Sequence, residues 1–319
     1  MKIVCEVGSN WKTLDDCLFS IKKAQEAGAN YVKFQLFNDF ELTGQLPDNS
    51  TMGVSPYLDF SWIPHLKMHA DKFEIEFMCT AFSSLGYDMV NPFVNVHKIA
   101  SAELTDISIL SKVNSFRKPV MLSTAGSDLD IEVKSALLHL HDCPVTIMYC
   151  VADYPAKIID FRRLDSMKEK FGQNYGYGYS DHSIDVLNIP YIAKEKGCSI
   201  IEKHANFCGH EDTDDATHSL NFEEFKLMCG KLRGEVYSEK QTNEMTNKSM
   251  RDLHKRRFIA IRDISPGEKF KIRYNVNYYR ATIKANNPIL TFRPWDIDNR
   301  PALNHKRIGD VITYADVDL

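Results

Sequence analysis

In the run YVKFQLF the residue types alternate: Tyr31, Lys33 and Gln35 fall on one face, Val32, Phe34 and Leu36 on the other. Successive side chains of a strand point to opposite sides, so the pattern predicts a strand with one apolar face against helices and a lysine on the other. Seven further short runs are β-rich strand candidates: KIVCEVG, EIEFMCT, NVHKIAS, KPVMLST, PVTIMYCV, NYGYGYS and SIIEKH. Between them lie stretches with helical spacing, such as 13–27, 56–72, 128–141 and 184–196, and another, 221–236, follows the last run. Strand and helix alternating eight times predicts an α/β chain whose residues 1–237 close into a (β/α)8 TIM barrel. A doubly wound open sheet is the alternative, although it rarely needs eight such even repeats.

The periodicity changes after the eighth unit. Residues 238–250 begin SEKQTNEMTNK, a polar stretch that reads as a linker. Beyond it, RRFIAIRDISPGEKF predicts a strand and then a turn at Pro266 and Gly267, so residues 251–319 are expected to form a small β-rich C-terminal domain.

Composition narrows the function classes. With 44% hydrophobic and 26% charged residues the chain has the make-up of a soluble globular protein. A formal charge of −4 gives no electrostatic reason to expect nucleic acid or an anionic membrane as a partner. No apolar run approaches a membrane span and MKIVCEVGSN is too short and too polar for a signal peptide, so a cytoplasmic location is expected. Eight scattered cysteines without a CxxC pair predict free, mostly buried thiols rather than disulfides or a zinc knuckle. No P-loop, GxGxxG fingerprint or serine nucleophile elbow occurs, which leaves nucleotide binding and serine hydrolysis unsupported.

Candidate chemistry gathers where the strands end, because barrels of this kind carry their active groups there. Ser180 and His182 share a face of GYSDHS, and Glu202 and His204 share a face of IIEKH. If these strands are parallel neighbours, both imidazoles converge on one point, a site suited to a first-row divalent metal with several coordination positions open. Lys33 is predicted to point into the barrel, and Lys98 repeats the pattern in HKIAS. Thr80, Ser101, Ser123 and Ser180 add hydroxyl donors of the kind that hold phosphate or carboxylate oxygens, with Glu6 and Glu103 as carboxylates. Together they suggest a small, multiply anionic substrate beside a metal-bound carbonyl.

These residues stand in blocks, EVGSN, EAGANYVKFQ, KIASAEL, LSTAG, CVADYP, GYSDHS, IEKH and DDATHSL, that cover most of the first 225 residues. In this order they resemble the sialic acid synthase family, which condenses phosphoenolpyruvate with N-acetylmannosamine or a related N-acyl sugar. The resemblance implies a divalent metal on His182 and His204, manganese in most cases, with magnesium or cobalt as alternatives. It implies that Lys33, Thr80, Lys98, Ser101, Ser123 and Ser180 hold phosphoenolpyruvate, and that Glu6, Gln35, Glu103, Tyr154 and Asp215 face the sugar. Glu103 is the expected base for the water that adds at C2, with Glu6 as the alternative. It further implies a homodimer whose antifreeze-protein-like (SAF) C-terminal domain sends an arginine into the partner's sugar site.

The chain departs from the family pattern at several points. Asn10 is followed by Trp11 where the family commonly has histidine, CTAF replaces an STPF-like segment, and Ala152 stands where a polar residue is common. The family's Arg-Pro-Gly motif is reduced to YYRAT, which makes Arg280 the candidate, in competition with Arg293 and Arg300. Two other functions stay open at this level. A keto-acid aldolase would form a Schiff base through Lys33 or Lys98, and a degenerate barrel would bind sugar without turnover.

Overall fold

The computed structural model describes residues 1–38, 41, 57–235, 256–280, 289 and 294–317. The chain divides into two compact units, Met1–Val236 and Tyr237–Leu319. The 238–250 stretch expected as a linker lies outside the described residues.

Eight parallel strands build the first unit: β1 Lys2–Glu6, β2 Tyr31–Leu36, β3 Glu76–Ala81, β4 His97–Ile99, β5 Val120–Ser123, β6 Val145–Cys150, β7 Gly176–Asp181 and β8 Ile200–His204. Their hydrogen-bonded order is β3-β2-β1-β8-β7-β6-β5-β4, so the sheet curls round and its two edges meet at β3 and β4. Among the described residues no ladder joins those edges, and the barrel is near-closed. The helices are α1 Leu14–Glu26, α2 Ile63–Lys72, α3 Ser84–Val90, α4 Ile107–Ser115, α5 Lys134–His139, α6 Arg162–Phe171, α7 Asn188–Glu195 and α8 Phe222–Leu232. With them the unit is the predicted (β/α)8 barrel.

Local sequence explains the helix limits. Thr13 starts α1 through a capping box: its hydroxyl accepts from the Asp16 amide at 3.2 Å while the Asp16 carboxylate accepts from the Thr13 amide at 3.0 Å. Cys17, Ile21 and Ala24 then recur at helical spacing and are fully buried. Asn221 and Glu224 cap α8 in the same way. The 128–141 stretch is not one helix. Asp128 caps a π-helical turn, Leu129–Val133, and regular α-helix begins only at Lys134.

The alternation read in the sequence sorts two cores. Outward positions such as Ile3, Cys5, Val32, Phe34, Phe77, Leu122, Ile147 and Ile201 are buried under the helices. Inward, Val4, Met78, Met121 and Met148 form an apolar plug in the lower barrel. Gly178 makes room for it, because a Cβ there would lie 2.3 Å from Met148 Sδ. Above the plug the inward positions turn polar.

The second unit has its own core, around Phe258, Phe270, Val276, Ile297 and Ile312. Its strands β9 Arg256–Ala260 and β10 Val276–Arg280 pair antiparallel, with Phe258 opposite Tyr278. All eight cysteines are free, and six are buried. No helix among the described residues is long and apolar enough to cross a membrane.

Candidate active site

The polar layer of the barrel is an ion cluster whose charged residues come from four strands, β1, β2, β4 and β8. Lys33 from β2 lies 2.8 Å from Glu6 Oε2 of β1 and 3.6 Å from Glu202 Oε1 of β8, and donates to Thr80 Oγ1 of β3 at 3.2 Å. Lys98 from β4 donates to the same Glu202 oxygen at 3.2 Å, and so does Ser180 of β7 at 3.1 Å. Gln35 donates to Glu6 Oε1 at 2.6 Å. Both lysines and both carboxylates are almost fully buried, where charges persist only if paired.

The environment divides the two carboxylates. Burial pushes the Glu6 carboxyl up to about 7, with Glu202 adding to the effect and Lys33 and Gln35 opposing it. Burial also works against charge on Glu202, yet Lys33 and Lys98 outweigh it and hold this carboxyl down at about 2. Burial would neutralise Lys33, but Glu202 and Glu6 reverse that and raise it above the usual ammonium range. One carboxylate therefore stays ionised beneath two lysines while the other sits poised to hold a proton near neutrality.

Just beyond this layer the histidines meet. The registers of β7 and β8 set Gly178 against Ile200 and Ser180 against Glu202, so the alternation delivers both imidazoles to the interior. Their ring centroids are 5.6 Å apart. His182 Nδ1 donates to the Val151 carbonyl at 2.7 Å, which leaves Nε2, 3.5 Å from Ser180 Oγ, as the available donor atom. Burial pulls His182 down to about 4 and His204 well below its ordinary range, so both rings are neutral at neutral pH. Two adjacent neutral imidazoles among carboxylates fit a first-row divalent ion.

The other expected residues fall around these two groups. Ser123 Oγ is buried with no hydrogen-bond partner, and Ser101 Oγ accepts from the Ala125 amide at 2.9 Å. Glu103 also leaves Oε2 buried and unpartnered, and burial raises its carboxyl, with Lys98 opposing. The Tyr154 ring lies 4.3 Å from that of His182. Asp215, on the loop after β8, accepts on Oδ2 from the Ser9 amide at 2.8 Å and the Ser9 hydroxyl at 2.9 Å. Of the arginines, Arg280 is placed on β10, its side chain outside the described residues; Arg293 is outside them altogether, and Arg300 lies in the second unit.

Two participants were not assigned a role from sequence. Glu202, on the same face as His204, proves to be the hub that both lysines share. His218 packs its ring 4.4 Å from His204, 5.0 Å from Tyr154 and 6.2 Å from His182. Its sequence signal was its place in the DDATHSL block, three residues after Asp215. Trp11 is buried in the outer core, its indole donating to the Gly8 carbonyl at 2.8 Å and its ring 5.7 Å from Trp62, so this departure removes nothing from the interior.

A parallel barrel that gathers lysines, carboxylates and neutral imidazoles at the carboxyl ends of its strands has the layout of the barrel enzymes. The chain belongs to the NeuB family, whose model matches residues 20–243. It is 29% identical to the pseudaminic acid synthase of Helicobacter pylori over 293 residues, 84% of each chain. It is 27% identical to the N,N'-diacetyllegionaminic acid synthase of Campylobacter jejuni over 299 residues, 84% of this chain and 87% of the relative. Among solved structures, the N-acetylneuraminic acid (sialic acid) synthetase of Leptospira borgpetersenii superposes with a TM-score of 0.67 at 25% identity, covering 78% of this chain and 92% of that one.

Proposed function

We propose that this enzyme condenses phosphoenolpyruvate with an N-acyl amino sugar, N-acetylmannosamine or a 2,4-diacetamido relative, to give a nonulosonic acid and inorganic phosphate. The observation that carries the reading is the buried pair of lysines, Lys33 and Lys98, ringed by hydroxyls and set directly below two neutral imidazoles. Family membership and the names of the relatives point the same way.

In this scheme Lys33, Lys98, Thr80, Ser101, Ser123 and Ser180 hold the phosphate and carboxylate of phosphoenolpyruvate. Ser123, buried without a partner, has a hydroxyl free for an anion. The two lysines are already matched by Glu6 and Glu202, so a bound anion needs charge from elsewhere. A proton taken up by Glu6 near neutrality relieves one carboxylate. His182 and His204 hold the divalent ion, most fittingly manganese. When bound it supplies Lewis acidity to a carbonyl oxygen.

The bond changes then balance without a redox step. C3 of the enol forms a carbon–carbon bond to the sugar's aldehyde carbon, water adds at C2, and the tetrahedral intermediate expels phosphate. Glu103 removes the proton from that water, its unpartnered oxygen and raised affinity for protons suiting it to the task. Gln35 and Tyr154 face the sugar. A Schiff-base aldolase needs a neutral amine, and Lys33 is held protonated by Glu6 and Glu202.

The test is phosphate release from phosphoenolpyruvate, with manganese, across a panel of N-acyl hexoses. Release that depends on both the sugar and the metal is expected. Covalent trapping of pyruvate by borohydride, or silence across the whole panel, would overturn the proposal.

A further inference from the structure

The loop after β8 places Asp215 and His218 against His204. One donor atom from each of these three residues lies within 4.8 Å of the other two. His218 is 2% exposed, and neither of its ring nitrogens has a hydrogen-bond partner; His204 Nδ1 is likewise buried and unpartnered. Leaving a buried polar group unsatisfied costs about 1–3 kcal/mol, so three such nitrogens side by side call for a ligand. His218 Nε2 is 3.3 Å from Asp215 Oδ1, an ion-pair contact that does not relieve Nδ1.

Asp215 is held to present that oxygen. Ser9 occupies Oδ2 through two donors, and Oδ1 is left toward both imidazoles, 3.7 Å from His204 Nδ1 and 3.3 Å from His218 Nε2. The close approach needs Gly8, whose φ is +56° and where a Cβ would lie 2.2 Å from Asp215 Oδ2.

Ring spacing gives a second, independent check. An imidazole nitrogen bonds a first-row ion at about 2.1 Å and sits about 1.1 Å from its ring centroid, so two rings on one ion have centroids at most about 6.4 Å apart. The 4.4 Å of His204–His218 lies well inside this limit, and the 5.6 Å of His182–His204 and 6.2 Å of His182–His218 also lie inside it; His182 stands outside the group whose donor atoms are within 4.8 Å of one another, so its ring has to close in for three imidazoles to share one ion. We propose that His218 is a third imidazole ligand of the divalent metal and Asp215 its carboxylate ligand, so that the ion is held by three histidines and an aspartate. This rests on the metal reading above and extends it: the pair becomes a four-donor set with nitrogen and oxygen ligands suited to manganese or ferrous iron. Asp215 then serves the metal rather than the sugar.

The full-length chain, stripped with EDTA and titrated with Mn2+, decides the matter without reference to turnover. Free Mn2+ is followed by continuous-wave EPR, and coordinated imidazole nitrogens are counted by pulsed EPR. Three nitrogens are expected in the unaltered protein; a count of two overturns the inference even if no variant folds. His218→Gln is expected to weaken Mn2+ affinity at least tenfold and to remove one nitrogen, with His218→Asp restoring most of the affinity. Undiminished affinity and an unchanged count in His218→Gln refute a ligand role and leave His182 and His204 as the site. No Mn2+ binding by the unaltered protein sinks the metal reading itself, and the inference with it.

Discussion

Lys203 is fully buried on β8, on the face opposite the histidines, and is the sharpest test of how the site is held. Its ammonium donates to Asp181 Oδ2 at 2.7 Å, to Ser183 Oγ at 3.4 Å, to the Asp185 carbonyl at 3.2 Å and, closer still, to the Ser183 carbonyl. Asp181 Oδ1 is separately satisfied by the Ser183 amide at 2.9 Å and the Tyr179 hydroxyl at 3.2 Å. Lys203→Met removes every contact to Oδ2 and strands a buried carboxylate, which costs about 3–5 kcal/mol. With a urea m-value of about 2.5 kcal/mol/M, that lowers the unfolding midpoint by about 1–2 M. Fluorescence from Trp11 and Trp62, packed together in the first unit, reports the transition. The double variant Asp181→Asn/Lys203→Met removes the stranded charge and is expected to recover at least about 2 kcal/mol of the loss. Because Asp181 and Lys203 immediately precede His182 and His204, the single variant is also expected to weaken Mn2+ binding. A midpoint shift below about 0.3 M, or strictly additive single variants, would refute the view that this pair secures the two strand ends.

Further expectations concern the site and its supports. Glu103→Gln is expected to lower kcat about 10²–10⁴-fold if Glu103 is the base, measured as phosphate release; a loss under tenfold hands the role to Glu6. Gly8→Ala pushes a methyl group into Asp215 and is expected to weaken Mn2+ affinity while sparing most of the fold, with equal affinity by titration counting against the Asp215 assignment. His97 is buried on the outer face of β4, where burial, with Lys118 adding to it, pulls its imidazole down to about 4. The unfolded chain therefore binds the extra proton first, so this contribution is complete above pH 6.5 and is lost as pH falls from 6.5 toward 4. The loss is about 2 kcal/mol at pH 5. His97→Gln is expected to flatten urea stability across that window, and an unchanged slope would show that the acid sensitivity lies elsewhere.

Much of the barrel was legible because its signal is local. Alternation placed Lys33 and Gln35 on one face of β2, and Glu202 and His204 on one face of β8, before any contact between strands was known. Helix limits were less so: 128–141 kept helical spacing throughout, but Asp128 caps a π-helical turn that the spacing does not distinguish from α-helix. Glu202 was visible yet left without a role, because its importance comes from two lysines on other strands, a non-local property. His218 lay beyond reach for a different reason. It ends a single 3-10 turn, Ala216–His218, too short for any period to say which way a side chain points, and only the fold brings it to His204. Trp11 misled in the opposite sense, as a change of residue type at a functional block that the structure absorbs into the outer core.

The order of the ladders has a consequence for where the barrel can loosen. Its weak line is the seam at which β3 and β4 adjoin without a ladder. Opening from the β3 side must break the β3-β2, β2-β1 and β1-β8 pairings before it frees β8, and from the β4 side the β4-β5, β5-β6 and β6-β7 pairings before it frees β7. The two histidine-bearing strand ends are thus the part of the sheet most remote from its free edges. Local opening that begins at the seam therefore has three ladders to break on either side before it reaches the strands that carry the two imidazoles.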